Sequence, residues 1–193
     1  MILVGSQASR APDELEPLRR LLNTWEIPAK TRMPTDHLPD LAGDPQRWLR
    51  ELPGLPVPAS NELAELTELR DDLRHALDSD GHGRGLLDTW LQRRPPRPRV
   101  LSTPQQLSIR HSPFDTTAIA ATIAIAADAI AQGTWPRLKA CPDCRWVFYD
   151  NTRNGSRRWC GMSAPGEEER SCGSIAKVRA YRHRKRQQTA QHD

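Results

Sequence analysis

All four cysteines of this 193-residue chain lie between positions 141 and 172, and this clustering constrains the fold more than any other feature. Cys141 and Cys144 have the C-x2-C spacing that lets two thiolates approach one metal ion from a tight turn. Cys160 follows after fifteen residues and Cys172 after eleven more, and Pro and Gly in that second gap are typical of a surface loop. The spacing predicts one structural zinc ion, because four thiolate ligands leave no open coordination position.

Three other interpretations of the cysteines stay open from the residues alone. Two disulfides would need an oxidising compartment, a C-x2-C redox pair would need a surrounding βαβ pattern, and four unrelated buried thiols would need no common site. No secretory signal is apparent in the first residues, so we expect a cytoplasmic protein with reduced thiols. The longest apolar run, 118–131, is interrupted by Thr122 and Asp128, and we therefore expect no membrane span.

The residues between the cysteines resemble a zinc ribbon. Residues 146–149 are β-prone, and the gap between Cys144 and Cys160 has room for a strand, a turn and a return strand. We expect Trp146, Phe148 and Tyr149 to form the core of this small module, with ligand stacking as the alternative.

Positive charge is concentrated at the C-terminal end. Residues 137–193 hold 13 Lys+Arg and 6 Asp+Glu, leaving 15 basic and 18 acidic residues in 1–136. Such a distribution predicts a polyanionic partner for the C-terminal part. We expect a helix from Gly173 or Ser174, with Val178 and Tyr181 packed on the ribbon. The predicted nucleic-acid contacts are Arg153, Arg157, Arg158, Lys177, Arg179, Arg182, Arg184, Lys185 and Arg186.

The preceding 136 residues are predicted to be mainly α-helical, because leucines and alanines recur at spacings of three and four. We expect a loop over 28–43 and a small β-hairpin from 99–102 and 106–110. The predicted helices cover 12–25, 44–52 with Asp44 as N-cap, 60–78 with Ser60 as cap, 86–93, and 114–132 started by Asp115 or Thr116. A boundary between Gln132 and Arg137 divides the chain into a helical domain, 1–136, and a zinc module, 137–193.

The C-terminal stretch resembles the CGNR-type zinc finger. The resemblance rests on Cys141, Cys144, Trp146, Phe148, Tyr149, Asp150, Arg153, residues 156–160, Met162, Cys172-Gly173 and residues 176–179. It implies a bacterial family with an N-terminal helical ABATE domain, regarded as transcription regulators of stress responses. More faintly, residues 21–24 and the helix around Trp48-Leu49 are similar to that first domain. The chain departs from the pattern at Ser174-Ile175, where an amide and an arginine are missing, and by an insertion at 165–170.

These observations lead to one main hypothesis and two alternatives. The main hypothesis is a zinc-containing DNA-binding transcription regulator, with an N-terminal domain that senses a small-molecule ligand or forms a homodimer. The first alternative is a protein-interaction adaptor with a structural zinc. The second is a divergent member that binds or converts small molecules, using His37, His75, His82 or Asp128, although their spacing matches no known catalytic arrangement. An apolar pocket beside Trp25, Trp48 or Trp90 would favour that second alternative.

Overall fold

A computed structural model describes residues 10–77, 84–103, 106–161 and 172–190. Within these ranges the chain forms seven α-helices and three two-stranded antiparallel sheets, which confirms the predicted mainly α class. The elements in chain order are α1 (Glu16–Leu22), β1 (Trp25–Glu26), β2 (Thr35–Asp36), α2 (Leu38–Ala42), α3 (Pro45–Glu51), α4 (Leu63–Ala76), α5 (Arg84–Arg93), β3 (Arg97–Thr103), β4 (Gln106–Ser112), α6 (Ala118–Ala131), β5 (Leu138–Ala140), β6 (Val147–Tyr149) and α7 (Cys172–Ala190).

The helices enclose one apolar core. Leu66, Leu69 and Leu73 of α4 lie on one face and are buried together with leucines of α1 and isoleucines of α6. Small alanines along α6 allow close approach of neighbouring helices, since ten of its fourteen residues are buried. Burial of this face, rather than intrinsic helix propensity, therefore stabilises the short helices around it.

Several local predictions fail at element boundaries. The predicted loop over 28–43 contains the short helix α2, whose Leu38 and Leu41 are buried in the core. Ser60 is not the cap of α4, because a 3-10 turn over 60–62 intervenes. The N-cap of α6 is Thr117, whose hydroxyl accepts a hydrogen bond from the Ala120 amide at 3.1 Å. Asp44 is confirmed as the N-cap of α3, accepting from the Arg47 amide at 3.0 Å.

The hairpin of β5 and β6 is buried on both faces. Leu138, Val147 and Tyr149 point into the main core, whereas Phe148 packs against the cysteines on the other side. The prediction of a return strand between Cys144 and Cys160 is wrong. Strand β6 instead pairs with β5, which precedes the first cysteine, so the C-x2-C turn is itself the hairpin connection.

The hairpin of β3 and β4 has the opposite character. Its two seven-residue strands pair continuously from Arg97↔Ser112 to Thr103↔Gln106. Every side chain of β3 from Arg97 to Ser102 is exposed, and so are Leu107 and Ile109 of β4. The base of β4 is anchored on α6, where Asp128 accepts from the His111 amide at 2.8 Å.

Candidate metal centre and basic helix

The first pair of cysteines is held by a closed turn. The Arg145 amide donates to the Cys141 carbonyl at 2.8 Å, and the Cys141 amide donates to the Trp146 carbonyl at 2.9 Å. Arg145 has a φ of 61°, a left-handed conformation that reverses the chain within the turn. This arrangement directs the thiols of Cys141 and Cys144 to the same side of the hairpin.

The sulfur atoms of all four cysteines lie within 4.8 Å of one another. Zn–S bonds of about 2.3 Å in a tetrahedron put the sulfurs about 3.8 Å apart, and the Cys144 and Cys160 sulfurs are 3.5 Å apart. All four cysteines are free thiols, so the alternative of two disulfides does not describe this chain. The four cysteines are therefore positioned to bind one zinc ion, as the spacing predicts.

The thiols perturb one another strongly. The hydrogen bond with Cys144 lowers the pKa of the Cys141 thiol far below its usual value, whereas the hydrogen bond with Cys141 raises the pKa of the Cys160 thiol. Burial raises the pKa of the Cys172 thiol as well. Before a metal ion binds, the raised pKa values keep the other thiols protonated beside the Cys141 thiolate. The positive charge of a divalent metal ion stabilises all four cysteines as thiolates.

The second pair comes from more distant segments. Cys172 begins α7, and the Gly173 amide donates to the Gly161 carbonyl at 2.9 Å, which brings the helix start beside Cys160. The guanidinium of Arg157 donates to the carbonyls of Trp159 and Cys160 and lies 4.9 Å from the centre of the Phe148 ring. Arg157 therefore fixes the Cys160 segment. The predicted insertion at 165–170 lies outside the described residues.

A fully buried carboxylate orders the chain between the two pairs. Asp150 accepts hydrogen bonds from Lys139 Nζ at 2.7 Å, from the Thr152 amide at 3.0 Å and from the Arg157 amide at 2.8 Å. Burial acts to raise the pKa of Asp150, but the hydrogen bonds from Lys139 and Thr152 outweigh it and hold the pKa well below its usual range. The ionised carboxylate is thus part of the folded module.

Polar side chains of the helical domain clamp the metal hairpin. Asn23, which is fully buried, donates to the Val147 carbonyl at 2.8 Å and accepts from the Val147 amide at 2.7 Å. Arg19 also donates to the Val147 carbonyl, at 3.3 Å. Arg74 donates to the carbonyls of Leu22 and Arg145 and lies over the Trp25 ring. These contacts join buried polar groups that lie far apart in the sequence.

Sequence reasoning missed this clamp. In the sequence, Asn23 stands out only within the faint resemblance of residues 21–24, and its partner lies 124 residues away. One signal was present for the arginines of α4. Arg70 and Arg74 follow Leu66 at i+4 and i+8, which places them beside the apolar stripe rather than opposite it. Arg70 is buried, and its Nη1 and Nη2 atoms donate to the two carboxylate oxygens of Asp36 at 2.6 and 2.9 Å.

The basic helix α7 extends away from the module. Its first residues, Cys172 and Gly173, are buried, and all side chains from 177 to 184 are exposed. The predicted packing of Val178 and Tyr181 on the ribbon is wrong, since they are 48% and 61% exposed. The body of the protein buries only Cys172 and Gly173 at the start of α7, so neither side chain is enclosed by a packing surface. The Nη1 atom of Arg179 lies 3.4 Å from the Oδ1 atom of Asp143.

The remaining predicted cations fall into different environments. Arg153 and Arg158 are exposed, and Lys177, Arg182 and Arg184 are exposed on α7. Arg157 differs, because its guanidinium is occupied within the module. The backbone of α7 includes Lys185 and Arg186, and their side chains lie outside the described part.

The catalytic candidates are not brought together. His37 contacts Glu26 at 3.2 Å, Asp128 binds His111, and His75 is exposed on α4. His82 and the glycine-rich loop around it lie outside the described residues.

Two of the three candidate tryptophans belong to the core. The indole N–H of Trp48 donates to the Leu55 carbonyl at 3.0 Å, and that of Trp90 donates to Asp72 at 2.8 Å. Trp25 lines an open cavity of about 340 Å³ with Asp71, Arg74, His75 and Arg145. Charged and imidazole side chains surround the Trp25 ring in this cavity, which lies where α4 meets the metal hairpin.

Residues 137–185 match the family model of the CGNR zinc finger. The match covers the four cysteines and most of α7, and it confirms the resemblance seen in the sequence for this segment. The similarity of residues 21–24 and 48–49 to the ABATE domain is consistent with it. None of the curated proteins compared with the chain matches it. Among the described residues, no helix is both long and apolar enough to cross a bilayer.

Proposed function

We propose that the chain is a DNA-binding transcription regulator whose zinc finger presents α7 to the phosphate backbone of duplex DNA. The observation that carries this proposal is the exposure of every side chain from Lys177 to Arg184. From Lys177 to Arg184 the structure shows one ion pair, between Arg179 and Asp143, so contacts within the described part of the chain do not account for the other cations. A polyanion supplies the missing partner for these cations.

The zinc centre gives the helix its direction. Cys172 is both a metal ligand and the first residue of α7, and the Gly173–Gly161 hydrogen bond holds the first turn. The contact of Arg179 with Asp143 ties the second turn to the C-x2-C turn. A helix fixed at its start in this way presents cations in one orientation at lower entropic cost than a free tail.

The DNA surface comprises exposed cations of α7 together with Arg153 and Arg158 of the module. Arg157 is left out, because its guanidinium supports the Cys160 segment. The departure at Ser174-Ile175 removes an amide and an arginine from the helix start. Contacts to phosphates then dominate, and these give affinity with a steep salt dependence while reading no base sequence.

The test is the affinity for random duplex DNA measured by fluorescence anisotropy across a salt series. Replacing Arg182 and Arg186 together by Gln is expected to weaken binding to all sequences alike and to lower the salt slope by about 2. The matched control is Arg47→Gln with Arg50→Gln on α3, which removes the same charge from the helical domain. An unchanged slope in the α7 variant, or an equal loss in the control, contradicts the proposal.

The sensing role belongs to the cavity beside Trp25. Arg74 lines this cavity and also donates to the Arg145 carbonyl in the metal turn, at 2.9 Å. A ligand that displaces or stacks on this guanidinium therefore acts directly on the hairpin that carries the zinc ligands. Arg74 and Arg145 outnumber the one lining carboxylate, Asp71, so the cavity suits a small organic anion that binds on the arginine side. The volume of about 340 Å³ lies at the lower end for small-molecule sites. Titration with carboxylic acids, followed by intrinsic tryptophan fluorescence and repeated with Trp25→Phe and Arg74→Gln, tests this part. No Trp25-dependent response from the wild-type chain contradicts it.

A further inference from the structure

The strand β3 is a long sheet edge with apolar side chains on both faces. Val100 is 70% exposed and Leu101 is 50% exposed, and their side chains point to opposite faces of the hairpin. Strand β4 covers one edge of β3 along its whole length, and no described helix packs closely on the other. Natural edge strands are usually short, charged or covered, because an open edge is a template for pairing with another chain.

The hydrogen-bonding parity of the hairpin shows which groups lie on this edge. The His111 amide donates to Asp128 on α6, so it points away from β3. Its opposite residue, Pro98, has no amide hydrogen, and the two form a non-hydrogen-bonded pair. Alternation along the ladder makes Val100↔Ile109 and Ser102↔Leu107 pairs of the same kind. The amide and carbonyl groups of Val100 and Ser102 are therefore directed outward.

We infer that β3 pairs antiparallel with β3 of a second copy of this chain, with Leu101 on the two-fold axis. In this register Val100 lies opposite Ser102 of the second copy, and the reverse pair occurs by symmetry. The two pairs form four backbone hydrogen bonds and use every outward amide and carbonyl of Val100 and Ser102. The leucines at 101 face each other across the axis. Moving the two-fold axis by one residue to Val100, which shifts the register by two residues, is poorer. It places the Ser102 carbonyl opposite Pro98 of the second copy, which has no amide hydrogen to donate.

Charge also agrees with this register. The segment 97–112 carries three arginines and no acidic residue, so pairing of two copies brings like charges near each other. The antiparallel arrangement places Arg99 opposite Thr103 of the second copy and separates the two Arg99 backbones by four residues, about 13 Å along the strand. That distance exceeds the Debye length of about 8 Å at physiological salt. Arg110 is compensated within its own chain by Glu14 and Asp128, both at 3.9 Å.

The interface is small. It joins two hairpins into one four-stranded sheet whose apolar surface comes from Val100, Leu101, Leu107 and Ile109 of each copy. Interfaces of this size fall at the low end, below about 1,200 Å² in total, where association is weak or transient. We expect a monomer–dimer equilibrium with a dissociation constant in the micromolar range.

Sedimentation equilibrium of the zinc-loaded full chain, from about 1 to about 200 µM, tests the association in the concentration range expected for a small interface. Leu101→Lys places two like charges opposite each other and is expected to weaken dimerisation by about tenfold or more. Ser102→Pro removes one outward amide and leaves the internal ladder of the hairpin intact, so it is expected to weaken dimerisation too. The control is Leu49→Lys, at an exposed leucine of α3. A monomer at all concentrations, or a dimer that Leu101→Lys does not weaken, overturns the inference.

Cross-linking distinguishes the register. With zinc bound, Leu101→Cys is expected to give a covalent dimer under mild oxidation, because directly opposed residues lie within disulfide reach. Ser108→Cys lies on β4, the outer strand of the four, and is expected to stay monomeric. Cross-linking through position 108 and not 101 would assign the contact to β4 and refute the pairing of β3. These measurements are independent of DNA binding. A chain that dimerises but does not bind DNA refutes the proposed function and leaves the pairing of β3 intact.

Discussion

Two β-hairpins of this fold, β3–β4 and β5–β6, differ sharply in how they are buried. The hairpin of β5 and β6 has strands of three residues and is buried on both faces. The hairpin of β3 and β4 has strands of seven residues and exposes Val100, Leu101, Leu107 and Ile109. Strand length and apolar content therefore do not decide which hairpin is enclosed. The short hairpin receives buried polar groups and sulfur ligands from neighbouring segments on both faces, whereas the long one is anchored to α6 only at the base of β4.

The short hairpin is held from two directions. The helical domain supplies Asn23 and Arg19 to the backbone of Val147, while the cysteines on the opposite side supply a metal site. Removing either support should expose the hairpin and reduce the contrast with β3–β4.

The largest expected effect is that of losing the metal. Chelation of zinc, or Cys144→Ser, removes a binding free energy on the order of 10 kcal/mol for small zinc sites. We expect the amides of β5 and β6 to lose protection in hydrogen exchange, while those of β3 and β4 keep theirs. Metal analysis should confirm the loss of one zinc per chain. Equal loss of protection in both hairpins would show that they unfold as one unit.

Asn23→Ala should have the next largest effect. It leaves the Val147 amide buried without a partner and the Val147 carbonyl with only the longer hydrogen bond from Arg19. The expected cost is about 2 to 3 kcal/mol in the free energy of unfolding. Urea denaturation measures this change. Asn151→Ala is the matched control, because Asn151 is exposed and makes one hydrogen bond to the Arg10 carbonyl. If Asn23→Ala lowers the free energy of unfolding no more than Asn151→Ala does, the hydrogen bonds of Asn23 do not stabilise the metal hairpin.

Glu16 provides a test through pH. Burial acts to raise the pKa of Glu16, but hydrogen bonds from Arg19, the Ala11 amide and Arg20 outweigh it and lower the pKa below its ordinary value. The lowered pKa means that the ionised side chain stabilises the fold above the unfolded pKa of about 4.3, and that this stability is lost as pH falls through the lower folded pKa.

Glu16→Gln should therefore lower the free energy of unfolding by about 1 to 2 kcal/mol at pH 7, with a smaller difference below about pH 4. Paired urea titrations of wild type and variant at several pH values measure it. A difference that grows on acidification would contradict the assigned role of this carboxylate.

The smallest effect is expected on the exposed hairpin. Ile109→Thr changes a side chain that is 58% exposed, and the monomer should lose no more than about 0.5 kcal/mol. Thermal unfolding at low protein concentration tests this. Its counterpart is Val147→Thr in the buried hairpin, for which we expect a loss of about 1 to 3 kcal/mol, because a hydroxyl then replaces a methyl group in the core. If the two substitutions lower the stability by similar amounts, the two hairpins do not differ in how burial stabilises them.

Much of the metal centre was predictable because its determinants are local. The C-x2-C spacing, the start of α7 and the cap at Asp44 each depend on residues within one turn or one hairpin. Boundaries were less predictable, as α2 shows, since its two leucines become helical by packing on the core. The role of Arg157 was also missed, because an arginine in a basic segment gives no sign that carbonyls will bind it.

By itself, the sequence determined that four thiols would meet around one zinc ion and that a basic helix would follow the last of them. Only the tertiary structure decided that Asn23 would hold Val147, that Arg74 would reach Arg145, and that the side chains of 97–102 would be exposed within the described part of the chain. The physical reason is distance along the chain. Cysteine spacing and helix caps act over a few residues, whereas the burial of a hairpin depends on partners that lie 71 to 128 residues away and meet only when the core has formed.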